Sequence, residues 1–153
     1  MVKKEEYLFF FEKYVRGENM ENMDTKYIKQ LSDMSMDIEL RSIVPMPYSG
    51  KIDEVVTYRC NELTALCPVT KIQDFYSISI TFIPDKCVPE LKSLKMYYLD
   101  FHDIPISHEN LHAKVYKDFT KSISPKKLEM LLKTSIRGGI ETSITFNSAN
   151  QYL

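Results

Sequence analysis

From Tyr76 to Phe82 apolar and polar side chains alternate, with Tyr76, Ile78, Ile80 and Phe82 set against Ser77, Ser79 and Thr81. A period of two predicts a strand over Phe75 to Ile83 with one buried and one wet face. Val55, Val56, Thr57 and Tyr58 predict another strand leading into Cys60. Near the other end, Thr134 to Ile136 and Ile140 to Phe146 predict two more around Arg137-Gly138-Gly139, since Ile140, Thr142, Ile144 and Phe146 alternate with Glu141, Ser143 and Thr145.

Elsewhere the spacing is helical. Tyr7, Leu8, Phe11, Tyr14 and Val15 predict a helix over Lys3 to Val15, and a shorter one is expected over Asp24 to Leu31, capped by Asp24 or Thr25. Pro45, Pro47, Ser49 and Gly50 then break the pattern, so residues 1–45 read as an N-terminal helical extension and residues 46–153 as the main domain. His108 to Ile123 carries Leu111, Val115 and Phe119 at four-residue steps, with Ser107 as cap and Glu109 in the first turn. Ser124 and Pro125 are expected to open a further helix through Leu132, because proline suits a first helical turn. The order of two strands, two helices and two strands predicts an α+β fold with an antiparallel sheet.

Composition narrows the function classes. A chain of 153 residues that is 44% hydrophobic suits one domain with a real core. A net charge of −1 gives no global field to draw in nucleic acid or an anionic membrane, so any charged ligand must be held by a local cluster. The longest apolar run, Tyr7 to Phe11, falls far short of the roughly 20 residues that cross a bilayer, and its charged flanks are unlike a signal peptide. The expectation is a cytoplasmic protein with no membrane partner. Cys60, Cys67 and Cys87 are odd in number, which fits reduced thiols better than a disulfide framework.

Three segments carry candidate chemistry. Cys67, in Leu66-Cys67-Pro68-Val69-Thr70, lies between two strands, and Asp74 opens the second of them. A thiolate on a loop beside a proton-relaying carboxyl group is equipment for attack on an electrophilic carbon; a buried small hydrophobe is the alternative, and Cys60 and Cys87 keep that reading. His108 and Glu109 put an acid/base group and a carboxylate at a helix start, where the helix dipole alone also favours a glutamate. His108 and His112 are spaced as two zinc ligands on a helix would be, but no third ligand suggests itself and no metal is expected. Lys92 and Lys95 face the same way on a helical turn, as a phosphate site or as a solvated face. Neither a Gly-x-Gly-x-x-Gly nor a Walker loop is present, so a nucleotide would not be bound by a Rossmann fold.

Together these segments resemble the QueF family over about Tyr58 to Phe146. Cys60-Asn61-Glu62-Leu63-Thr64-Ala65-Leu66-Cys67-Pro68 is similar to the family's nucleophile segment, and Asp74-Phe75 falls at the distance of its catalytic aspartate. Glu90-Leu91-Lys92-Ser93-Leu94-Lys95-Met96-Tyr97 resembles the family's NADPH-associated signature, Glu-[Ser/Leu]-Lys-[Ser/Ala]-x-Lys-x-[Tyr/Phe/Trp]. His108-Glu109 and Arg137-Gly138-Gly139-Ile140 match two further motifs, the first tied to substrate binding. Two local departures stand out: Ile72-Gln73 precedes Asp74 where the family usually shows Gln-Pro, and the loop before His108 lacks its usual Asn-His-Gly.

The resemblance implies a tunnelling fold, an antiparallel sheet with two helices between strand pairs, joined into a ring-shaped homo-oligomer with active sites at subunit interfaces. It implies reduction of 7-cyano-7-deazaguanine to the aminomethyl base with two NADPH, through a Cys67 thioimide, in queuosine biosynthesis for tRNA modification. Cys67, Asp74 and His108 would be catalytic, Glu109 and Glu90 substrate-binding, and Lys92, Ser93, Lys95, Arg137 and Gly138 cofactor-binding. The alternative is a QueF-like amidinotransferase, which adds ammonia to the nitrile-bearing base in tRNA; those proteins lack the lysine-rich signature found here at Glu90 to Tyr97.

Overall fold

The computed structural model of the protein describes residues 1–15 and 25–148. Its elements are α1 (Lys4–Val15), α2 (Thr25–Asp37), β1 (Pro45–Pro47), β2 (Val56–Leu66), β3 (Gln73–Ile83), β4 (Cys87–Pro89), α3 (Leu91–Leu99), α4 (His108–Ile123), β5 (Lys127–Thr134) and β6 (Ser143–Asn147). A four-stranded antiparallel sheet runs β2-β3-β5-β6, and β1 pairs with β4 in a separate two-stranded ladder. The antiparallel α+β reading therefore agrees with the structure. Of the residues read as the start of α2, Asp24 lies outside the described set, as do residues 149–153 of the main domain. No helix among the described residues is long and apolar enough to cross a membrane.

The sheet buries one face. Along β3 the inward residues are Asp74, Tyr76, Ile78, Ile80 and Phe82, as the period of two requires. Along β2 the phase changes midway: Cys60 opposes Ile78, but Leu63 opposes Tyr76, so the strand carries one extra residue there. This bulge moves the inward positions from Val56, Tyr58 and Cys60 to Leu63 and Ala65. Two residues further, the same alternation reaches Cys67.

α4 lies on the buried face through Leu111, Val115, Phe119 and Ile123. Phe119 meets Phe82 edge to face, with ring centroids 5.3 Å apart. Ser107 caps the helix by accepting from the Asn110 amide, and Ser124 in the left-handed region ends it.

Two expectations are corrected. The helix expected from Ser124 through Leu132 is strand β5 from Lys127 onward. Lys, Leu, Glu and Met favour helices, but Leu128, Met130 and Leu132 also alternate, and pairing with β3 from Ile83↔Lys127 to Tyr76↔Thr134 buries all three. The two inserted helices are instead α3 and α4, so the expected order holds with different members. The strands expected around Arg137-Gly138-Gly139 are displaced as well: β5 ends at Thr134 and β6 begins at Ser143. Between them a tight turn is closed by Arg137 and Ile140, with Gly138 and Gly139 at positive φ, where a side chain would be strained.

The N-terminal segment is tied into the main body. Tyr7 and Phe11 of α1 are buried, and the Tyr7 hydroxyl donates to the Pro105 carbonyl. Lys4 pairs with Asp103, Arg41 pairs with Asp100, and Asn110 donates to Ser32 Oγ at 2.8 Å. β1 uses residues that read as breakers, since Pro45 and Pro47 sit in a short strand facing Pro89 and Cys87. Phe119→Ala is expected to cost about 3–5 kcal/mol in urea unfolding, through loss of buried surface and the cavity left behind; a loss below about 1 kcal/mol would mean that α4 is not anchored there.

Candidate active site

Cys67 occupies the tight turn between β2 and β3. Its amide donates to the Ile72 carbonyl, and its carbonyl accepts from Lys71, which adopts a positive φ. The thiol is half-buried, and burial pushes its pKa up. Hydrogen bonds from the Thr70 hydroxyl and from the Thr70 and Val69 amides more than offset this, leaving the pKa below the ordinary thiol value even with Asp74 opposing. A thiol tuned in this direction holds more thiolate, the form that attacks electrophiles, than an ordinary cysteine does at the same pH.

Asp74, only 3% exposed, pairs at 2.9 Å with Arg137, whose guanidinium also donates to the Gln73 carbonyl at 2.7 Å. Isolated burial of a carboxylate is costly, and this pair is what makes it tolerable. Two residues on, and thus on the same face of β3, Tyr76 places its hydroxyl 2.9 Å from His108 Nδ1. The charges of Asp74, Cys67, Arg137 and Glu109 all act on that hydroxyl, which marks them as one neighbourhood. Glu109 is exposed on the first turn of α4. The structure therefore assembles Cys67, Asp74, His108, Glu109 and Arg137 in one cluster, with Tyr76 at its centre.

The Glu90 to Tyr97 segment lies elsewhere. Glu90 is the N-cap of α3, its carboxylate accepting from the Lys92 and Ser93 amides, and those bonds hold its pKa below the usual range. The Ser93 hydroxyl accepts from Val44 N and donates to Glu90 O. Both side chains expected to touch ligands are thus engaged in holding the start of α3. Lys92 and Lys95 are exposed, one turn apart, and neither makes an ion pair among the described residues. Lys95 lines a groove of about 490 Å³ between α3 and the bulged stretch of β2, together with Arg59, Glu62, Leu94 and Tyr98. Cys67 is not on its wall.

His112, the other half of the zinc-like pair, is buried in the core against the Met130 carbonyl. Burial lowers its pKa, with the Met130 bond opposing, and so disfavours the charged form. Among the described residues no three His, Cys, Asp or Glu side chains gather as a metal site.

Tyr76 and Thr70 are site residues that the sequence reading did not single out. The first had a signal: strand periodicity puts position 76 on the same face as position 74. The sulfur contact of Thr70 depends on the turn geometry and had none.

With the geometry in place, comparison with known proteins is specific. Residues 73–152 match the family model described as QueF-like protein. Over 84 residues, 55% of this chain and 72% of the relative, the chain is 42% identical to the NADPH-dependent 7-cyano-7-deazaguanine reductase of Chloroherpeton thalassium. It is 34% identical to the protein of that name from Elusimicrobium minutum over 125 residues, 82% of this chain and 95% of the relative. Among solved structures, an archaeosine synthase QueF-Like in the apo form superposes with a TM-score of 0.59 at 21% identity, covering 64% of this chain and 96% of that one, and so shares the fold. The chain belongs to the QueF-like protein family.

The thiols should differ in reactivity. Cys67 is shifted down, whereas burial and then Asp85 push Cys87 up; at neutral pH the lowered group holds the larger thiolate fraction. Iodoacetamide followed by peptide mass spectrometry is expected to label Cys67 several-fold faster than Cys87, and Thr70→Val to slow Cys67 selectively. Equal rates would show that the turn does not activate the sulfur.

Proposed function

We propose that the protein is a cytoplasmic NADPH-dependent nitrile reductase that converts 7-cyano-7-deazaguanine to 7-aminomethyl-7-deazaguanine, a step in queuosine biosynthesis. The observation that carries this reading is the activated Cys67 thiol in one cluster with buried Asp74 and His108, in a chain of this family. A nitrile carbon is electrophilic but reacts poorly with hydride, and covalent addition divides the reduction into easier steps.

Cys67 sulfur bonds to the nitrile carbon, Asp74 takes the thiol proton, and the nitrile nitrogen receives it, giving a thioimide. NADPH, when bound, supplies the two hydrides. After the first, the substrate carbon holds both an amine and the Cys67 sulfur; breaking the carbon–sulfur bond returns the thiolate and leaves an imine, the species that becomes the amine. Asp74 or His108 serves the later proton transfers at nitrogen. Glu109, an exposed carboxylate beside the cluster, accepts hydrogen bonds from the ring N–H and exocyclic amine of the base. Glu90 contributes to the substrate side only through the position it gives α3.

The residues fit the cofactor. Lys92 and Lys95 present two exposed cations one turn apart on α3, Lys95 on the wall of the groove, and would hold the cofactor's phosphates, the 2′-phosphate accounting for NADPH over NADH. Arg137 uses two of its five N–H donors on Asp74 and Gln73 and keeps others for the cofactor, with Gly138 leaving space for close approach. Because the groove and the Cys67 cluster are separate in one chain, the complete site is assigned to the interface of a ring-shaped homo-oligomer of the tunnelling-fold type. In support, β2 and β6 are the outer strands of the four-stranded sheet among the described residues, and Val69, Ile72, Phe75, Ile136 and Ile140 are exposed apolar side chains flanking Cys67, Asp74 and Arg137. Residues 1–45 serve as a brace on the 46–153 domain.

Following NADPH absorbance with the free nitrile base tests the reading. Wild-type protein should consume two NADPH per base, and Cys67→Ala none. Replacing Lys92 and Lys95 together by Gln should raise KM for NADPH at least tenfold, about 1.4 kcal/mol. Incorporation of ammonia with no NADPH consumption would replace this assignment by the amidinotransferase one.

A further inference from the structure

Among the described residues the His108 side chain has one hydrogen-bond partner, Tyr76. The Tyr76 hydroxyl sits 2.9 Å from Nδ1, and the two rings meet edge to face at 5.5 Å and 72°. Nε2 has no partner among the described residues. Tyr76 itself is 3% exposed, held on the inner face of β3 by pairing with Leu63 and Thr134 on either side. Its rotation is thereby restricted, and with it the place where its hydroxyl points.

Direction of the hydrogen bond follows from which arrangement leaves no buried donor unpaired. Burial first, and then the charge of Asp74, push the Tyr76 phenol well above the ordinary tyrosine range; Cys67 and Glu109 push the same way, and Arg137 opposes. As acceptor from Nδ1 the buried Tyr76 hydroxyl would leave its own O–H without a partner among the described residues, whereas as donor to Nδ1 it is satisfied. A neutral imidazole carries one donor and one acceptor nitrogen, so acceptance at Nδ1 fixes the ring proton on Nε2.

We propose that Tyr76 is a positioning residue that locks His108 as the Nε2–H tautomer and so presents a hydrogen-bond donor to the nitrile nitrogen, a role that rests on the reductase reading above. Labour is then divided between the two groups at that nitrogen. During thioimide formation Asp74, paired with Arg137, relays the thiol proton, while the Nε2–H of His108 polarises the carbon–nitrogen bond and stabilises charge developing on nitrogen. With Nδ1 protonated instead, Nε2 would turn a lone pair toward the lone pair of the nitrile.

Long-range proton–nitrogen NMR of protein with nitrogen-15 histidine, in mildly alkaline solution, reads the tautomer directly. His108 is expected as Nε2–H in the wild type and as a mixture with Nδ1–H in Tyr76→Phe. That variant keeps the ring contact and should lower kcat for NADPH consumption about tenfold, with KM for the nitrile base and for NADPH within about twofold of wild type. An Nδ1–H signal for His108 in the wild type would overturn the proposal even if Tyr76→Phe failed to fold, and so would unchanged kcat in a folded variant. Absence of NADPH consumption by the wild type would instead remove the reductase reading, while the spectrum still decides the tautomer.

Discussion

Leu66 makes the pair of hydrogen bonds on which the site depends. Its amide donates to the Ile104 carbonyl at 3.0 Å, and its carbonyl accepts from the Ile106 amide at 3.1 Å, so the segment before α4 runs alongside the end of β2. Cys67 is the next residue after Leu66, and His108 is two residues after Ile106. Backbone bonds of this kind fix separation and orientation more tightly than side-chain contacts, and Ile104 and Ile106 are buried so that water does not compete for them. The Cys67 thiol and the His108 imidazole are thus placed relative to one another by the chain itself. α1 and α2 hold the same segment from outside, through Tyr7 to Pro105, Lys4 to Asp103, and Ser32 to Asn110.

On the sheet side the constraint is one of phase. The bulge between Cys60 and Leu63 brings β2 into step with β3, so that Leu63 and Ala65 lie inward opposite Tyr76 and Asp74. Without the extra residue every later position of β2 would exchange faces. The carboxylate that this geometry buries needs a countercharge, and the turn at Arg137 supplies it from beyond the end of β5. Asp74 thereby links the loop at 135–142 to the turn that carries Cys67, and the glycines at 138 and 139 let that loop fold back so sharply.

Where one physical rule dominated, the sequence was readable. β3 has a single period and one buried face, and α4 has its cap, its first-turn carboxylate and its apolar stripe in agreement, so both emerged close to their observed bounds. β5 failed because its residue types favour a helix while its alternation favours a strand, and only the partner strand decides between them. β1 and β4 owe their existence to each other, since neither three-residue segment is stable alone. The cluster was legible as far as residue types with chemistry of their own, Cys67, Asp74 and His108. Tyr76 escaped notice because an inward tyrosine on a strand reads as core, and its hydroxyl acquires meaning only from the histidine that the 100–107 segment delivers to it. Glu90 and Ser93 stood out as candidate ligand contacts, and their part in starting α3 was not legible beside that.

The proposed reaction turns on a thiol that adds to a nitrile before any hydride arrives. Intact-mass measurement of the protein mixed with 7-cyano-7-deazaguanine, without NADPH, tests that directly. The expected result is a gain equal to the whole mass of the base, located by peptide mapping on the segment that carries Cys67 and discharged when NADPH is added. No mass gain in folded protein, or a gain located on Cys60 or Cys87, would contradict it.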